Sequence, residues 1–336
     1  MPDLTPLRRL SAKLGVNLNL VQAGGGNTSL KDNGTLWVKA SGKWLARAME
    51  EEMFLPVPQT EIHRCIDEGL DYTRECLTGS GLALRPSVET SMHAVFPQPV
   101  VVHVHSVNTI AWAIRTDAPK SLEDRLAGLR WQWLPYIHPG IVLGKKILDV
   151  LSPDTDVLVL GNHGLVVGAD DCDAAEDLLE DVERRLAVPL RTAPKPDLDA
   201  LAADVPAGFE VAPDDEVHAL AMDPLSLEVA KLGTLYPDQC VYVGPALAIV
   251  NHERAIEEFV SRHGVHPRVL LIPGKGVLVA NDLNRAGREV LISVKRVIER
   301  LAPGVAVHAL SDADVSKLIH WDAEKYRIAL AKQYDV

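Results

Sequence analysis

In residues 1–190, short runs of apolar residues alternate with segments in which apolar residues recur at helical spacing. Short continuous apolar runs bounded by turn-forming residues predict buried strands. The runs of this kind are Leu36–Ala40, Val100–His105 and Val157–Leu160. In Asp173–Leu186 apolar residues recur at i and i+4 on one face, which predicts an amphipathic helix. Strands that alternate with helices predict an α/β fold.

Pro86–Phe96 is predicted to form a helix that carries a candidate catalytic carboxylate. Ser87 has the side chain of a helix N-cap, and Glu89 then falls in the first turn. The helix dipole tolerates a carboxylate at that place, so Glu89 by itself has an ordinary structural explanation.

Residues 191–215 are rich in proline, alanine and aspartate and show no sustained period, which predicts a linker. We therefore expect a catalytic domain over 1–190 and a smaller α/β domain over 216–336. The elements expected in the second domain are strand material over Cys240–Val250, a hairpin of Val269–Ile272 with Val277–Ala280, and helices over Asn284–Leu301 and Asp312–Lys332.

A weak internal repeat relates the two parts of the chain. Val157–Val167 can be aligned with Val269–Val279, and the helices that follow stay in register. The alternative is that any two strand–turn–strand–helix segments look alike. If the repeat is real, the second domain is a degenerate copy with Lys275 in place of His163, so its role is structural or regulatory.

Composition narrows the class of protein. The 336 residues are 47% hydrophobic with a formal net charge of −12, which excludes general disorder. The acidic balance argues against nucleic acid or an anionic membrane surface as a partner, but leaves room for a small anionic substrate. Four cysteines without a CxxC pair suggest neither disulfides nor a thiolate zinc site. No apolar run is long enough to span a bilayer, and we expect a soluble cytoplasmic protein.

Three histidines form the strongest chemical signal. His103 and His105 are two residues apart in a predicted strand, so both imidazoles project to one face. That spacing alone is weak evidence, but His163 follows another buried strand and lies between glycines. Three imidazoles and an open position predict a catalytic metal site, with zinc favoured over manganese or cobalt. Glu89 is available to the metal or to the substrate.

A glycine-rich segment, Gly24–Ser29, is the second signal, followed by Ser41-Gly42. Consecutive glycines let backbone N–H groups converge on an anion, although such a run is more often only a turn. The segment has neither the dinucleotide-binding pattern nor the P-loop pattern. Beside a metal site, a phosphate or carboxylate cradle is the favoured interpretation.

Five motifs occur in an order that resembles class II aldolases of the fuculose-phosphate aldolase and adducin-head type. They are Gly25–Ser29, Ala40–Gly42, Pro86–Glu89 with His93, Val102–His105 and Gly161–Leu165. The resemblance covers roughly residues 5–190. Two further segments, Gly24–Lys31 and Trp321–Arg327, are similar to the aldolase half of larger rhamnulose-phosphate aldolase/dehydrogenase fusions.

The resemblance implies a three-layer α/β/α fold around a mainly antiparallel sheet, and a homotetramer with active sites between subunits. His103, His105 and His163 would bind the metal, normally zinc, and Glu89 would be the catalytic acid/base. The implied substrate or phosphate ligands are Gly26, Asn27, Ser41, Gly42 and Ser87.

The chain departs from this family pattern in two places. Val88 stands where fuculose-phosphate aldolase has a second serine, so one phosphate donor is missing. The tyrosine that such aldolases take from a neighbouring subunit has no clear match, and Tyr136 and His138 are the nearest candidates.

The implied activity is metal-dependent cleavage of a hydroxy-ketone, a sugar phosphate or sugar acid, through a metal-bound enediolate in carbohydrate metabolism. Proton transfer by Glu89 would favour a carboxyl pKa raised by burial. A decarboxylase or a 4-epimerase of the same fold would use the same intermediate, and a non-catalytic adducin-like interaction module is the alternative of another class.

Overall fold

The computed structural model describes residues 2–71 and 84–334, and the first half of the chain builds the larger sheet. The strands of this sheet are β1 (Asn27–Asp32), β2 (Thr35–Lys39), β3 (Phe54–Pro58), β4 (Val100–Val104), β5 (Trp131–Leu134), β6 (Val157–Leu160) and β7 (Gly164–Ala169). The helices of the same half are α1 (Thr5–Gly15), α2 (Gln59–Glu68), α3 (Thr90–Val95), α4 (Val107–Ala113), α5 (Ala118–Arg125), α6 (Ile141–Val150) and α7 (Cys172–Leu186).

The larger sheet has the strand order β3-β2-β1-β4-β7-β6-β5. Every neighbouring pair is antiparallel except β5 and β6, which run parallel, so the expected mainly antiparallel sheet is confirmed. In the centre, Asn27 of β1 and Val166 of β7 lie opposite His103 of β4. This register places the polar side chains of Asn27 and His103 side by side near the end of β4, whose other residues are valines.

Helices cover both faces of the sheet, which confirms the three-layer α/β/α prediction. Side chains of α1, α4 and α7 pack with Val100, Val102 and Val104 on one face. Met92 of α3 and Ile147 of α6 pack with Val101 on the other face. Because side chains alternate along a strand, His103 shares the face of Val101 and lies beneath α3.

One predicted helix differs from the structure in a way that matters for the site. The Pro86–Phe96 helix is confined to Thr90–Val95, and Ser87 does not cap it. Pro86 forms a bridge with Ala40, and the Ser87 N–H donates to the Lys39 carbonyl, which keeps this segment extended beside β2. Glu89 therefore precedes the first helical residue, and its side chain makes no capping bond.

The second half forms a smaller sheet with its own helices. Its elements are α8 (Leu198–Ala202), β8 (Phe209–Val211), α9 (Ala219–Met222), α10 (Pro224–Ala230), β9 (Ala248–Ile249), α11 (Ala255–His263), β10 (Val269–Ile272), β11 (Gly276–Ala280), α12 (Arg285–Ile298), α13 (Asp312–His320) and α14 (Asp322–Ala331). The hairpin of β10 and β11 agrees with the prediction. The segment 191–215, expected to be a plain linker, contains α8 and β8, and β8 pairs with β11.

Two predictions for the second half differ from the structure in detail. The predicted strand material over Cys240–Val250 is confirmed only at β9, whereas Gln239–Val243 is a short π-helix that buries its side chains beside α12. Tertiary packing overrides the strand preference of these valines and Tyr242. The helix expected over Asp312–Lys332 is interrupted at Trp321, whose extended backbone separates α13 from α14.

The strand order supports the internal repeat. The smaller sheet has the order β8-β11-β10-β9, and its pairs have the same orientations as β4-β7-β6-β5 in the larger sheet. Leu160 pairs with Gly164 as Ile272 pairs with Gly276, so the two hairpins share one register. By the same correspondence, Lys275 takes the place of His163 and Val211 that of His103.

The two halves share one hydrophobic cluster. Ile110 of α4 and Ile114, which follows it, belong to the same cluster as Val290 and Val294 of α12. The second half is therefore packed onto the helix that directly follows β4.

Among the described residues, no helix has the length and apolar character needed to cross a membrane.

Candidate metal centre

Four buried side chains converge where the central strands of the larger sheet end. His103 lies on β4, His105 follows the strand, His163 lies in the turn between β6 and β7, and Glu89 precedes α3. Their nitrogen and oxygen atoms lie within 4.8 Å of one another. Asn162 adopts a left-handed φ of 51°, and its side chain donates to the Leu235 carbonyl, which fixes the turn that carries His163.

The rings and the carboxylate face one another directly. His163 Nε2 is 3.0 Å from Glu89 Oε1, and His103 Nε2 is 3.5 Å from Glu89 Oε2. His103 Nε2 and His105 Nε2 are 3.1 Å apart. These atoms converge on one point, as the ligand atoms of a single metal ion do.

The hydrogen bonds on the outer side of two rings assign their tautomers. His103 Nδ1 lies 2.9 Å from the Leu165 carbonyl oxygen, and His105 Nδ1 lies 2.7 Å from Asp238 Oδ2. Both partners are acceptors, so each Nδ1 carries the proton. When both rings are neutral, their Nε2 lone pairs face each other at 3.1 Å. Two lone pairs at that distance repel unless a cation or a proton lies between them.

The charge states of the His103 ring and the Glu89 carboxylate favour binding of a cation. Burial lowers the pKa of His103 to about 3, so this ring is neutral near pH 7. Burial opposes ionisation of Glu89, but the neighbouring His103, His163 and His105 outweigh it and hold its pKa well below the usual value. The expectation of a raised Glu89 pKa is therefore wrong, because the sequence did not reveal how closely the rings surround the carboxylate.

The Glu89 carboxylate lies between an amide and a ring nitrogen. Asn27 Nδ2 donates to Glu89 Oε2 at 2.6 Å, and His163 Nε2 lies 3.0 Å from Oε1. A buried carboxylate is costly unless donors or a cation satisfy it. Three imidazoles and one carboxylate are a ligand set that divalent transition metals prefer. The group could hold such an ion.

Two of the predicted substrate ligands instead support Glu89. Asn27 donates to its carboxylate, and the Glu89 N–H donates to Ser87 Oγ at 3.2 Å. The Ser41 N–H donates to the Arg85 carbonyl at 2.9 Å, within the same pairing that holds Pro86. Asn27 and Ser87 therefore lie beside the centre, and Ser41 lies in the segment that pairs with the chain before Glu89.

The glycines of the expected anion cradle lie against other parts of the chain. Gly26 has a φ of 64°, and a Cβ there would lie 3.1 Å from the His103 carbonyl oxygen. Gly42 has a φ of 76°, and a Cβ there would lie 2.8 Å from Leu330 Cβ on α14. The C-terminal helix thus covers the turn at Ser41-Gly42, which the sequence did not predict.

The remaining candidates lie at the edge of this region. The Tyr136 hydroxyl is buried without a hydrogen-bond partner, and burial raises its pKa. The His138 ring packs against Trp321 with ring centroids 4.8 Å apart. His93 is buried beneath the centre and bonds Ser29 Oγ through Nδ1 at 2.8 Å, in agreement with a packing role.

Three buried charged residues of the second half complete the surroundings of the centre. Asp238 accepts from His105, Arg327 bonds the other Asp238 oxygen, and Arg327 Nε donates to Glu324 Oε2 at 2.7 Å. Sequence reasoning missed Asp238, and it assigned no role to Glu324 and Arg327 although both lie in the Trp321–Arg327 segment that it singled out. Asp238 is 133 positions from His105, and no spacing rule connects residues so far apart.

A buried lysine fixes the glycine-rich turn. Lys39 Nζ donates to the carbonyls of Gly24 and Lys43, both at 2.8 Å. Burial, assisted by Arg327, lowers the Lys39 pKa to about 7. The turn approaches the centre so closely that a Cβ on Gly25 would lie 2.7 Å from Asp238 Oδ2 and 2.8 Å from His105 Nδ1. Gly25 therefore makes room for the His105–Asp238 hydrogen bond.

Comparison with known proteins gives the family of this site. Residues 7–190 match the model of the class II aldolase and adducin N-terminal domain. A protein of Bacillus subtilis (strain 168) named "Uncharacterized oxidoreductase YuxG" is 31% identical over 171 residues, which are 46% of this chain and 24% of that protein. The chain thus spans about a quarter of the length of this curated relative.

Solved structures of similar proteins cover the same half of the chain. The N-terminal class II aldolase domain of a conserved Thermoplasma acidophilum protein is 25% identical, covering 55% of this chain and 92% of that chain with a TM-score of 0.48. L-Fuculose-1-phosphate aldolase from Thermus thermophilus is 17% identical, covering 54% and 92%, with a TM-score of 0.38. On the family match over more than half of its residues, the chain belongs to the class II aldolase and adducin N-terminal domain family.

Proposed function

We propose that this protein is a metal-dependent lyase that cleaves a hydroxy-ketone, a sugar phosphate or sugar acid, by retro-aldol chemistry. The observation that supports this most strongly is the approach of His103 Nε2 and His105 Nε2 to within 3.1 Å of each other in a buried site. Glu89 and His163 complete the set. Family membership favours the reaction class, and three imidazoles favour zinc over manganese or cobalt.

His103, His105 and His163 would hold the ion. A bound divalent cation supplies positive charge that stabilises the oxyanion developing on the substrate as a carbon–carbon bond breaks. Glu89 is ionised and can therefore act as a base, accepting a proton from the substrate and returning one to the carbon released by cleavage.

Asn27 is the positioning group for this base. Its side chain bonds Glu89 Oε2 at 2.6 Å, so that Oε1 faces His163 Nε2 at 3.0 Å. Ser87 holds the backbone of the same residue, so the carboxylate is preorganised before substrate binds. Leu330 packs on Gly42, so α14 lies against the turn that the sequence predicts to bind the anionic end of the substrate.

Metal analysis of the protein purified without added metal tests the centre. We expect about one equivalent of divalent metal per chain in the wild type and its loss in His103→Ala. His252→Ala is the matched control, because His252 is exposed and lies outside the cluster. A wild-type protein that contains no metal and takes up none on reconstitution would remove the basis for this chemistry and favour a binding module.

The reaction class needs a separate assay. Ketose phosphates and sugar acids are screened for cleavage with and without chelator, and the aldehyde, carbon dioxide or epimer produced is identified. Aldehyde formation that chelator abolishes supports the lyase. Carbon dioxide or an epimer would reassign the activity to a decarboxylase or epimerase of the same fold. Glu89→Gln should lower kcat by about 100-fold or more, within the range for loss of a general base.

A further inference from the structure

We propose that Asp238, held by Arg327 and Glu324, is a positioning residue for the metal ligand His105, so that the second half of the chain is part of the metal centre. The inference rests on the proposed metal site. It assigns a role to residues that lie outside the segment matched by the family model, residues 7–190.

The hydrogen bond between Asp238 and His105 sets the tautomer of the ring. Asp238 Oδ2 lies 2.7 Å from His105 Nδ1, and both side chains are almost fully buried. A carboxylate accepts only, so the ring proton stays on Nδ1 and Nε2 remains free for an ion. Such partners of metal-binding histidines also restrict ring rotation and raise the basicity of the ligand nitrogen.

Arg327 keeps the Asp238 carboxylate able to accept the hydrogen bond from His105. The guanidinium bonds Asp238 Oδ1, the oxygen that His105 does not use. Both oxygens of the carboxylate are therefore engaged, and it can neither rotate away nor carry a proton without losing a partner. Despite burial, Arg327 and His105 hold the pKa of Asp238 well below its usual value.

Glu324 fixes the arginine in turn. Its Oε2 accepts from Arg327 Nε at 2.7 Å, one turn earlier on α14. The three residues form a buried chain of hydrogen bonds that ends on a metal ligand. When Glu324 is ionised, the two carboxylates and the guanidinium of this chain carry one net negative charge. That charge and the charge of Glu89 together balance a divalent cation.

The first half of the chain leaves space for this contact. Gly25 lies so close to the His105–Asp238 pair that any Cβ would overlap both atoms. The glycine-rich turn and the second half therefore meet at one hydrogen bond. A second domain that only packed beside the first would not require a glycine at this place.

The test measures metal affinity rather than activity. Zinc binding to the full chain is measured by competition with a chromophoric chelator for the wild type, Asp238→Asn, Asp238→Ala and Arg327→Lys. Cobalt(II) absorption spectra report the ligand field in the same proteins. Asp223→Asn is the matched control, since Asp223 is also paired with an arginine but bonds Arg191 and Ser226. Circular dichroism and thermal unfolding show that each variant is folded.

We expect Asp238→Asn and Asp238→Ala to bind zinc about 10- to 100-fold more weakly, the range typical of lost histidine partners. The asparagine amide can donate to Nδ1 and so place the ring proton on Nε2, which makes this nearly isosteric change informative. Arg327→Lys should have a smaller effect, because lysine keeps a positive charge beside Asp238 although a single ammonium cannot bond both carboxylates in the same fork geometry. Asp223→Asn should retain wild-type affinity and the wild-type cobalt spectrum.

Each other outcome has a distinct meaning. Folded Asp238 variants that bind zinc within about threefold of the wild type, with an unchanged cobalt spectrum, would overturn this inference and leave the metal centre intact. A wild type that binds no metal would overturn both. A wild type that binds zinc with the help of Asp238 but cleaves no hydroxy-ketone would overturn the proposed reaction alone.

Discussion

A methyl group added to Gly25 tests how closely the first half of the chain approaches the metal centre. The φ angle of Gly25 is outside the left-handed region, so alanine is compatible with its backbone. The obstacle is steric, because the new Cβ would lie 2.7 Å from Asp238 Oδ2 and 2.8 Å from His105 Nδ1. Real Cβ contacts are not this short, so Asp238 or His105 must move and their hydrogen bond must lengthen or break.

The magnitude follows from the two effects of the substitution. Overpacking in a buried site costs about 1–3 kcal/mol, and a hydrogen bond to a charged group contributes about 1.5–3 kcal/mol. The reduced chain entropy of the unfolded state returns about 0.4–1 kcal/mol. We therefore expect Gly25→Ala to lower the free energy of unfolding by about 2–4 kcal/mol and to weaken zinc binding by about tenfold or more.

Gly24→Ala is the matched control in the same turn. Its Cβ would lie 3.3 Å from the Tyr242 hydroxyl and 3.5 Å from Gly42 Cα, distances that small shifts can accommodate. This variant should keep the wild-type zinc affinity and lose less than about 1 kcal/mol of stability. Urea unfolding and chelator competition measure both quantities. Equal behaviour of the two alanine variants would show that the close approach at Gly25 does not govern the centre, and the reasoning would be refuted.

Three further predictions concern pH and packing. Burial raises the pKa of Glu324 from 4.5 to about 7, so the folded state binds more protons than the unfolded state in that window and stability falls as pH rises through it. As the pH rises from about 4 to about 8, the free energy of unfolding of Glu324→Gln should therefore increase by up to about 3 kcal/mol relative to that of the wild type. Parallel pH profiles of this free energy for the two proteins would contradict the prediction. Gly42→Ala should lose about 1–3 kcal/mol of stability, because its φ is 76° and its Cβ would overlap Leu330 Cβ. Leu330→Ala in the same chain should restore little of this loss in a double-mutant cycle, because alanine keeps that Cβ. Ile147→Ala should cost about 2–5 kcal/mol by opening a cavity beneath the sheet, whereas Val142→Ala, 58% exposed on the same helix, should stay within about 0.5 kcal/mol; similar losses would argue against the buried position of Ile147.

The part of the candidate site that could be predicted from the sequence depends on local geometry. His103 and His105 share a face because side chains alternate along β4. The hairpin that carries His163 follows from two apolar runs around a glycine-flanked turn. The α/β class and the second hairpin follow from the same short-range patterns. The resemblance in motifs implied the mainly antiparallel sheet and brought Glu89 into the group.

Contacts over long sequence distances needed the tertiary structure. Ser87 does not cap a helix, because pairing with Ala40 and Lys39 in another strand determines its backbone. The Glu89 pKa lies below its ordinary value, because three rings from other elements surround the carboxylate. Both corrections have one physical reason: neighbours brought in by folding outweigh the preferences of the local chain.

The sequence by itself determined most of the strands and helices, and the four side chains that could hold a metal ion. Only the tertiary structure decided that the second half repeats the strand order of the first, lies against α4, and brings Asp238 to His105. Periodicity reports which face of an element is buried, but not what covers it. A hydrogen bond between residues 133 positions apart depends on the packing of the whole chain, and no local pattern carries that information.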